Sequence, residues 1–170
     1  MIDPLPELPK PVFTVVHLTS SSDVPVAVAR ELLETGVPRG MIGYEYRSLA
    51  QAEFLEGIPP NGLVAFGRSG LLGRIGVDVA TGEVVHIPKV ESAKVTHVNK
   101  DVHAFARCVS AVIDRFPFYQ EDVEEEEFER VADEVRDIIV RIDETALTHN
   151  GFWDGVCEDV AMGDCADWDA

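Results

Sequence analysis

Arg74-Ile75-Gly76-Val77-Asp78-Val79-Ala80-Thr81-Gly82-Glu83-Val84-Val85-His86-Ile87 reads as a strand, a turn and a second strand. Ile75, Val77 and Val79 alternate with Gly76 and Asp78, the period of two that turns one side of a strand to a core. Thr81-Gly82 supplies the turn and residues 83–87 return, so the spacing predicts a hairpin over 74–87. The period then changes. Val102, Phe105, Ala106, Val109, Val112, Ile113 and Phe116 recur at spacings of three and four, one apolar stripe on a helix, and Pro117 stops it. Phe128, Val131, Ala132, Val135, Ile138, Ile139 and Ile142 repeat the template. Strands of hairpin type followed by helices with one wet face each predict an α+β fold, amphipathic helices packed on a mostly antiparallel sheet.

Working outward, residues 94–98 alternate and predict another strand, as do residues 63–66 and the apolar, β-branched run 12–18. Asp23 is placed to N-cap a helix with Pro25 in its first turn, ending at Gly36 before Pro38. Ser48 followed by Gln51 has the spacing of a capping box, which predicts a short helix through Glu56. Asp122 and Glu125 form a second such pair ahead of the 128–142 stripe, and Glu126–Arg130 and Asp137–Arg141 are spaced for i,i+4 ion pairs. Trp153, Val156, Cys157 and Val160 predict a last short helix between Asn150 and Gly163. Residues 164–170 read as an acidic tail and residues 1–11 as a proline-rich lead-in, so residues 1–170 are expected to form one domain.

Composition bounds the function. The chain has 170 residues, 46% hydrophobic and 26% charged, the balance of an ordinary globular protein. Its charge of −17 is segregated: residues 121–170 hold 18 of the 31 acidic side chains but three of the 14 basic ones. That block repels nucleic acid and anionic membrane, and it attracts basic proteins, accelerating encounter by roughly 10–1000-fold at low salt. No apolar run is long enough to cross a bilayer, and the N-terminus has neither signal- nor transit-peptide character. The three cysteines, Cys108, Cys157 and Cys165, lack a disulfide-framework spacing, which favours a reducing cytoplasm.

The glycine-rich run from Gly67 to Gly73 lacks the Gly-Lys-Ser/Thr ending of a phosphate loop and is followed by a strand, so it reads as an inter-strand loop. His17, His86, His97, His103 and His149 show no His-x-x-x-His spacing. His86 and His97 could be cross-strand neighbours, but strand-surface histidines are the better reading. His149, Cys157, Asp159, Asp164 and Cys165 could be drawn as a zinc site, yet Cys157 lies on an apolar stripe where a thiol acts as a small hydrophobe. Ser69 lacks a nucleophile elbow, and Cys108 is inside a helix rather than at its N-terminus. No catalytic, metal or cofactor residues are expected. The surplus is electrostatic: Glu124, Glu125, Glu126 and Glu127 exceed what a helix dipole needs, and Asp133, Glu134 and Asp137 extend the negative face.

Leu63-Val64-Ala65-Phe66-Gly67, Ile75-Gly76-Val77-Asp78-Val79-Ala80-Thr81-Gly82-Glu83-Val84-Val85, and Val98-Asn99 before the helix Phe105-Ala106-Arg107-Cys108 resemble the SUKH superfamily, and within it the fourth subgroup. Ala29-Arg30-Glu31-Leu32-Leu33-Glu34-Thr35-Gly36-Val37-Pro38, Ile142-Asp143, Phe152-Trp153 and Val156-Cys157-Glu158-Asp159 extend the likeness over about residues 26–162. Lys100 and Asp101 stand where the family often has small hydroxyl residues. The resemblance implies a non-enzymatic, cytoplasmic immunity protein that binds a toxin domain, often a nuclease or nucleic-acid deaminase, with no cofactor. Basic substrate clefts suit phosphate, so an acidic plug is the matching surface. The expected partner-binding residues are Tyr119, Glu121, Asp122, Glu124, Glu125, Glu126, Glu127, Asp133, Glu134 and Asp137. Tyr44, Tyr46, Phe118 and Trp168 are further aromatic candidates for which core packing is an equal reading. The alternatives are a housekeeping interaction or scaffold module, and a metal-dependent hydrolase built on scattered Asp, Glu and His.

Overall fold

The computed structural model describes residues 12–41, 46–58, 61–89, 94–120, 123–147 and 150–164. Its centre is a five-stranded antiparallel sheet in sequential order: β3 (Arg47–Leu55), β4 (Leu63–Ser69), β5 (Gly73–Asp78), β6 (Val84–Ile87) and β7 (Thr96–Asn99). A separate ribbon pairs β1 (Val15–Val16) with β2 (Val37–Pro38) around α1 (Val26–Glu34). The helices α2 (Val102–Arg115), α3 (Glu125–Ile142) and α4 (Phe152–Met162) complete the α+β architecture. Among the described residues no helix is long and apolar enough to cross a membrane.

Alternation sorts the sheet residues. Val64, Phe66, Ile75, Val77, Val84 and Val98 join the main core with the inner faces of α2, α3 and α4. Leu63, Val85 and Ile87, one residue out of phase, form a smaller cluster with Ile58. The 74–87 hairpin stands as the sequence predicts, Ile75 opposite His86 and Val77 opposite Val84. β4 and β5 approach so closely at Gly76 that a Cβ there would lie 2.3 Å from the Val64 carbonyl oxygen.

Several local expectations are corrected. Residues 48–56 are not a helix: β3 occupies them, paired with β4 on one side and, at Ala52, with the Thr19 carbonyl on the other. Backbone partners supplied by distant strands outweigh a local Ser/Gln capping signature. α1 starts at Val26 with Pro25 as its N-cap, and Asp23 accepts instead from the Ser21 hydroxyl. Proline disfavours helical backbone in the residue before it, so the helix cannot begin as early as Asp23 allows. The 12–18 run contributes only the two residues of β1. β4 runs on to Ser69, which reduces the glycine-rich loop to a tight hairpin turn. β7 sits at 96–99 rather than 94–98. His86 lies opposite Thr96 and His97 opposite Val85, so the two histidines are not directly paired.

α2 is capped by Asp101, whose carboxylate accepts from the Ala104 N–H at 2.7 Å; aspartate here does what a small hydroxyl residue would do. The N-cap of α3 is Glu124, with no side-chain cap bond, while Asp122, and with it the capping box expected at Asp122 and Glu125, lies outside the described residues. α3 starts later than the box spacing requires.

One buried polar network fixes the helices to the sheet. Asp143, the C-cap of α3, is 2% exposed. Its carboxylate accepts from the Asn99 side-chain amide at 2.9 Å, the Lys100 N–H at 2.8 Å, and the Thr145 hydroxyl and N–H at 2.7 and 3.0 Å. Asn99 in turn accepts from the Trp153 indole N–H at 2.8 Å. Residues that carry the family likeness thus meet in space: β7, the end of α3 and the start of α4 share one set of hydrogen bonds. Burial raises the Asp143 pKa, but the donors from Lys100, Thr145 and Asn99 outweigh it and hold the carboxyl below its ordinary range.

Candidate partner-binding surface

Val131, Ala132, Val135 and Ile139 form the buried stripe of α3, and Phe128 and Ile142 are half-buried beside it. The opposite side of the helix carries Glu126, Asp133 and Asp137, all exposed and spaced by seven and four residues, so they form one outward row. Glu124, Glu125 and Glu129 are exposed as well.

These acids divide into two groups. Arg115 Nε and Nη2 donate to Glu134 at 3.0 and 2.8 Å, and Arg130 donates to both Glu134 and Glu127, with Arg130 Nε 2.9 Å from Glu127 Oε2. The guanidinium of Arg130 holds the Glu127 carboxyl below its ordinary range, and that of Arg115 does the same to Glu134. Asp133 accepts from Arg136 at 2.9 Å. Neither the Glu126–Arg130 nor the Asp137–Arg141 pair is formed among the described residues. Arg130 chooses the neighbours one turn away on its own side, which its two-pronged head can bridge at once. Glu124, Glu125, Glu126, Glu129 and Asp137 have no cation partner among the described residues.

The start of α3 and the end of α4 border a groove of about 450 Å³ lined by Glu125, Glu126, Phe128, Glu129, Ala161 and Met162. Its floor is apolar: Met162 is 64% exposed, and Phe128 packs edge-on against Tyr119 with ring centroids 4.6 Å apart. Gly163 caps α4 at φ +81°, and a Cβ there would meet the Phe128 ring at 3.0 Å, so the helix end closes tightly over the aromatic.

Tyr119 is half-buried, and its hydroxyl donates to the Val160 carbonyl, which braces the floor of the groove from below. Phe118 and Tyr46 are core residues, 3% and 0% exposed. Glu121, Asp122, Tyr44 and Trp168 lie outside the described residues. Phe128, Glu129, Ala161 and Met162 are not among the surface residues that the sequence singles out. Met162 held the available signal: two residues past Val160, it is off the apolar stripe of the last helix and must face water.

Other candidate chemistry has a definite location. Ser69, His86 and Asp159 line a common cleft of about 270 Å³, in which His86 Nε2 is buried without a hydrogen-bond partner among the described residues. Burial pushes the His86 imidazole pKa down, which favours the neutral ring. The Cys108 and Cys157 thiols are buried and pushed up to about 12, the reverse of an activated nucleophile. Among the described residues no three His, Cys, Asp or Glu side chains are grouped to hold a metal ion; His149 and Cys165 fall outside them.

Residues 19–159 match the family model described as SUKH-4 immunity protein. No curated protein and no solved structure matches the chain.

Proposed function

Because the chain belongs to the SUKH-4 immunity protein family, we propose that it neutralises a cognate toxin that acts on nucleic acid, by laying the acidic outer face of α3 over the toxin's basic substrate cleft. The observation that supports this reading is the division among the acids: Glu127, Asp133 and Glu134 are answered by arginines of the chain itself, whereas Glu124, Glu125, Glu126, Glu129 and Asp137 have no cation partner among the described residues. A cleft shaped for phosphate presents clustered cations, and a carboxylate row competes for them. Glu121 and Asp122 add two further acids in the sequence just ahead of α3, and Tyr119 braces the groove floor beside it. Charge of this kind sets the encounter rate more than the final affinity, so the apolar contacts of the α3–α4 groove supply the anchoring. The protein acts stoichiometrically, without a cofactor, in a reducing compartment where its buried thiols persist.

Co-expression with the toxin domains encoded beside its gene tests the function, with growth as the readout. Glu124→Gln, Glu126→Gln and Asp137→Asn combined should slow association with the toxin about tenfold at low salt and flatten its dependence on ionic strength. A rescuing chain whose association rate ignores both salt and these substitutions overturns the acidic-face reading.

A further inference from the structure

The groove between α3 and α4 combines two features that rarely serve one purpose inside a folded chain. Its rim is three carboxylates, Glu125, Glu126 and Glu129, with no cation partner among the described residues; its floor is Phe128, Ala161 and the exposed Met162. A solvated acidic surface has no need of an apolar floor. An apolar contact between copies of this chain would bring like charges together, at a cost. The chain's own continuation past Asp164 is a poor occupant for the same reason, since it carries Asp167 and Asp169. The side chains that suit both features are those with a long hydrocarbon stem and a cationic head.

We infer that this groove receives an arginine or lysine side chain projecting from the protein partner, its stem lying over Phe128 and Met162 and its head between Glu125 and Glu129. This rests on the proposed function for the partner's basic character, and adds the place and the chemistry of the anchor. Arginine fits better than lysine: a planar guanidinium can be held by two carboxylates at once and can stack on the Phe128 ring. The floor is firm enough to discriminate, because Phe128 is held between Tyr119 and the glycine that ends α4. Met162 adds a polarisable thioether that adapts to the stem.

The test follows the Met162 methyl resonance of the full chain during titration with acetyl-arginine amide, acetyl-lysine amide and the uncharged acetyl-norleucine amide. Arginine amide should shift it saturably and lysine amide more weakly, with norleucine amide far weaker than both. Glu125→Gln and Glu129→Gln should each weaken half-saturation roughly two- to fivefold, the range of exposed charge pairs. Glu144→Gln, an exposed acid beyond the end of α3, should change nothing. Equal shifts with norleucine amide, or arginine shifts indifferent to both groove carboxylates, overturn the inference. So does arginine binding that emerges only after residues 165–170 are deleted, which would identify the tail as the occupant. The titration needs no toxin, so its failure is separable from failure of the proposed function: a chain that rescues growth yet gives no saturable shift at Met162 refutes the groove alone.

Discussion

Asp143 shows how one residue can hold an interface between elements. Four donors converge on its carboxylate from β7, the residue after it and the α3–α4 connection, and a fifth contact reaches Trp153 through Asn99. An amide in its place keeps the shape but replaces one accepting oxygen by a donating NH2 that faces groups that are themselves donors. Asp143→Asn should therefore destabilise the protein by about 2–3 kcal/mol at neutral pH, measured by urea unfolding. The sign of the pH effect follows from the depressed folded-state pKa. Asp143 stabilises the fold above the unfolded carboxyl pKa of about 3.9, and that contribution is lost as pH falls through its lower folded value. The gap between wild type and Asp143→Asn should be full above about pH 5 and close as pH falls through the acid range. A gap that is constant down to acid unfolding would show that the ionised form is not what the network needs. Trp153→Phe should cost at least as much, about 2–4 kcal/mol, since Trp153 is fully buried and the change leaves both a cavity and an Asn99 oxygen without its donor.

At the scale of elements, the β4–β5 hairpin is constrained by backbone proximity rather than by turn chemistry alone. Gly76 faces the Val64 carbonyl oxygen and the Ala65 Cα at 2.3 and 2.7 Å from where a Cβ would stand, and neither atom can rotate away. Gly76→Ala should lower stability by about 3 kcal/mol, as the strands must separate to admit the methyl. Gly57→Ala, where nothing lies within 4 Å, should change it by less than about 0.5 kcal/mol. Comparable thermal midpoints for the two variants would contradict the close approach. β3 makes the complementary point. Its sequence has a helix-start signature, and its pairing with β4 shifts register between Ser48 and Glu53, yet it remains a strand because both sides of its backbone find partners.

For the whole molecule, the distribution of charge outranks its total. With −17 overall and most of it after residue 120, self-repulsion opposes compactness, and the arginines that bridge Glu127, Glu134 and Asp133 offset only part of it. Raising ionic strength from about 0.01 M to about 0.15 M shortens the screening length from about 30 Å to about 8 Å, so the thermal midpoint should rise over that range. A midpoint that falls instead would show that the arginine bridges dominate. The same screening should slow toxin association, so stability and encounter rate should respond to salt in opposite directions. The class of fold, the hairpin and the long helices were legible in the chain, because periodicities of two and of three to four record which side of an element meets a core. The acidity of α3 was legible for the same reason. Which acids remain available to a partner was not, because Arg115 reaches Glu134 across 19 positions of sequence and only the packing of α2 on α3 brings them together. Nor could local signals place β3, whose partners lie on other strands, or the α3–α4 groove, whose rim and floor come from separate helices. Local pattern determines what each segment can bury; tertiary contact decides which exposed groups are neighbours, because that depends on through-space distances that no sequence spacing encodes.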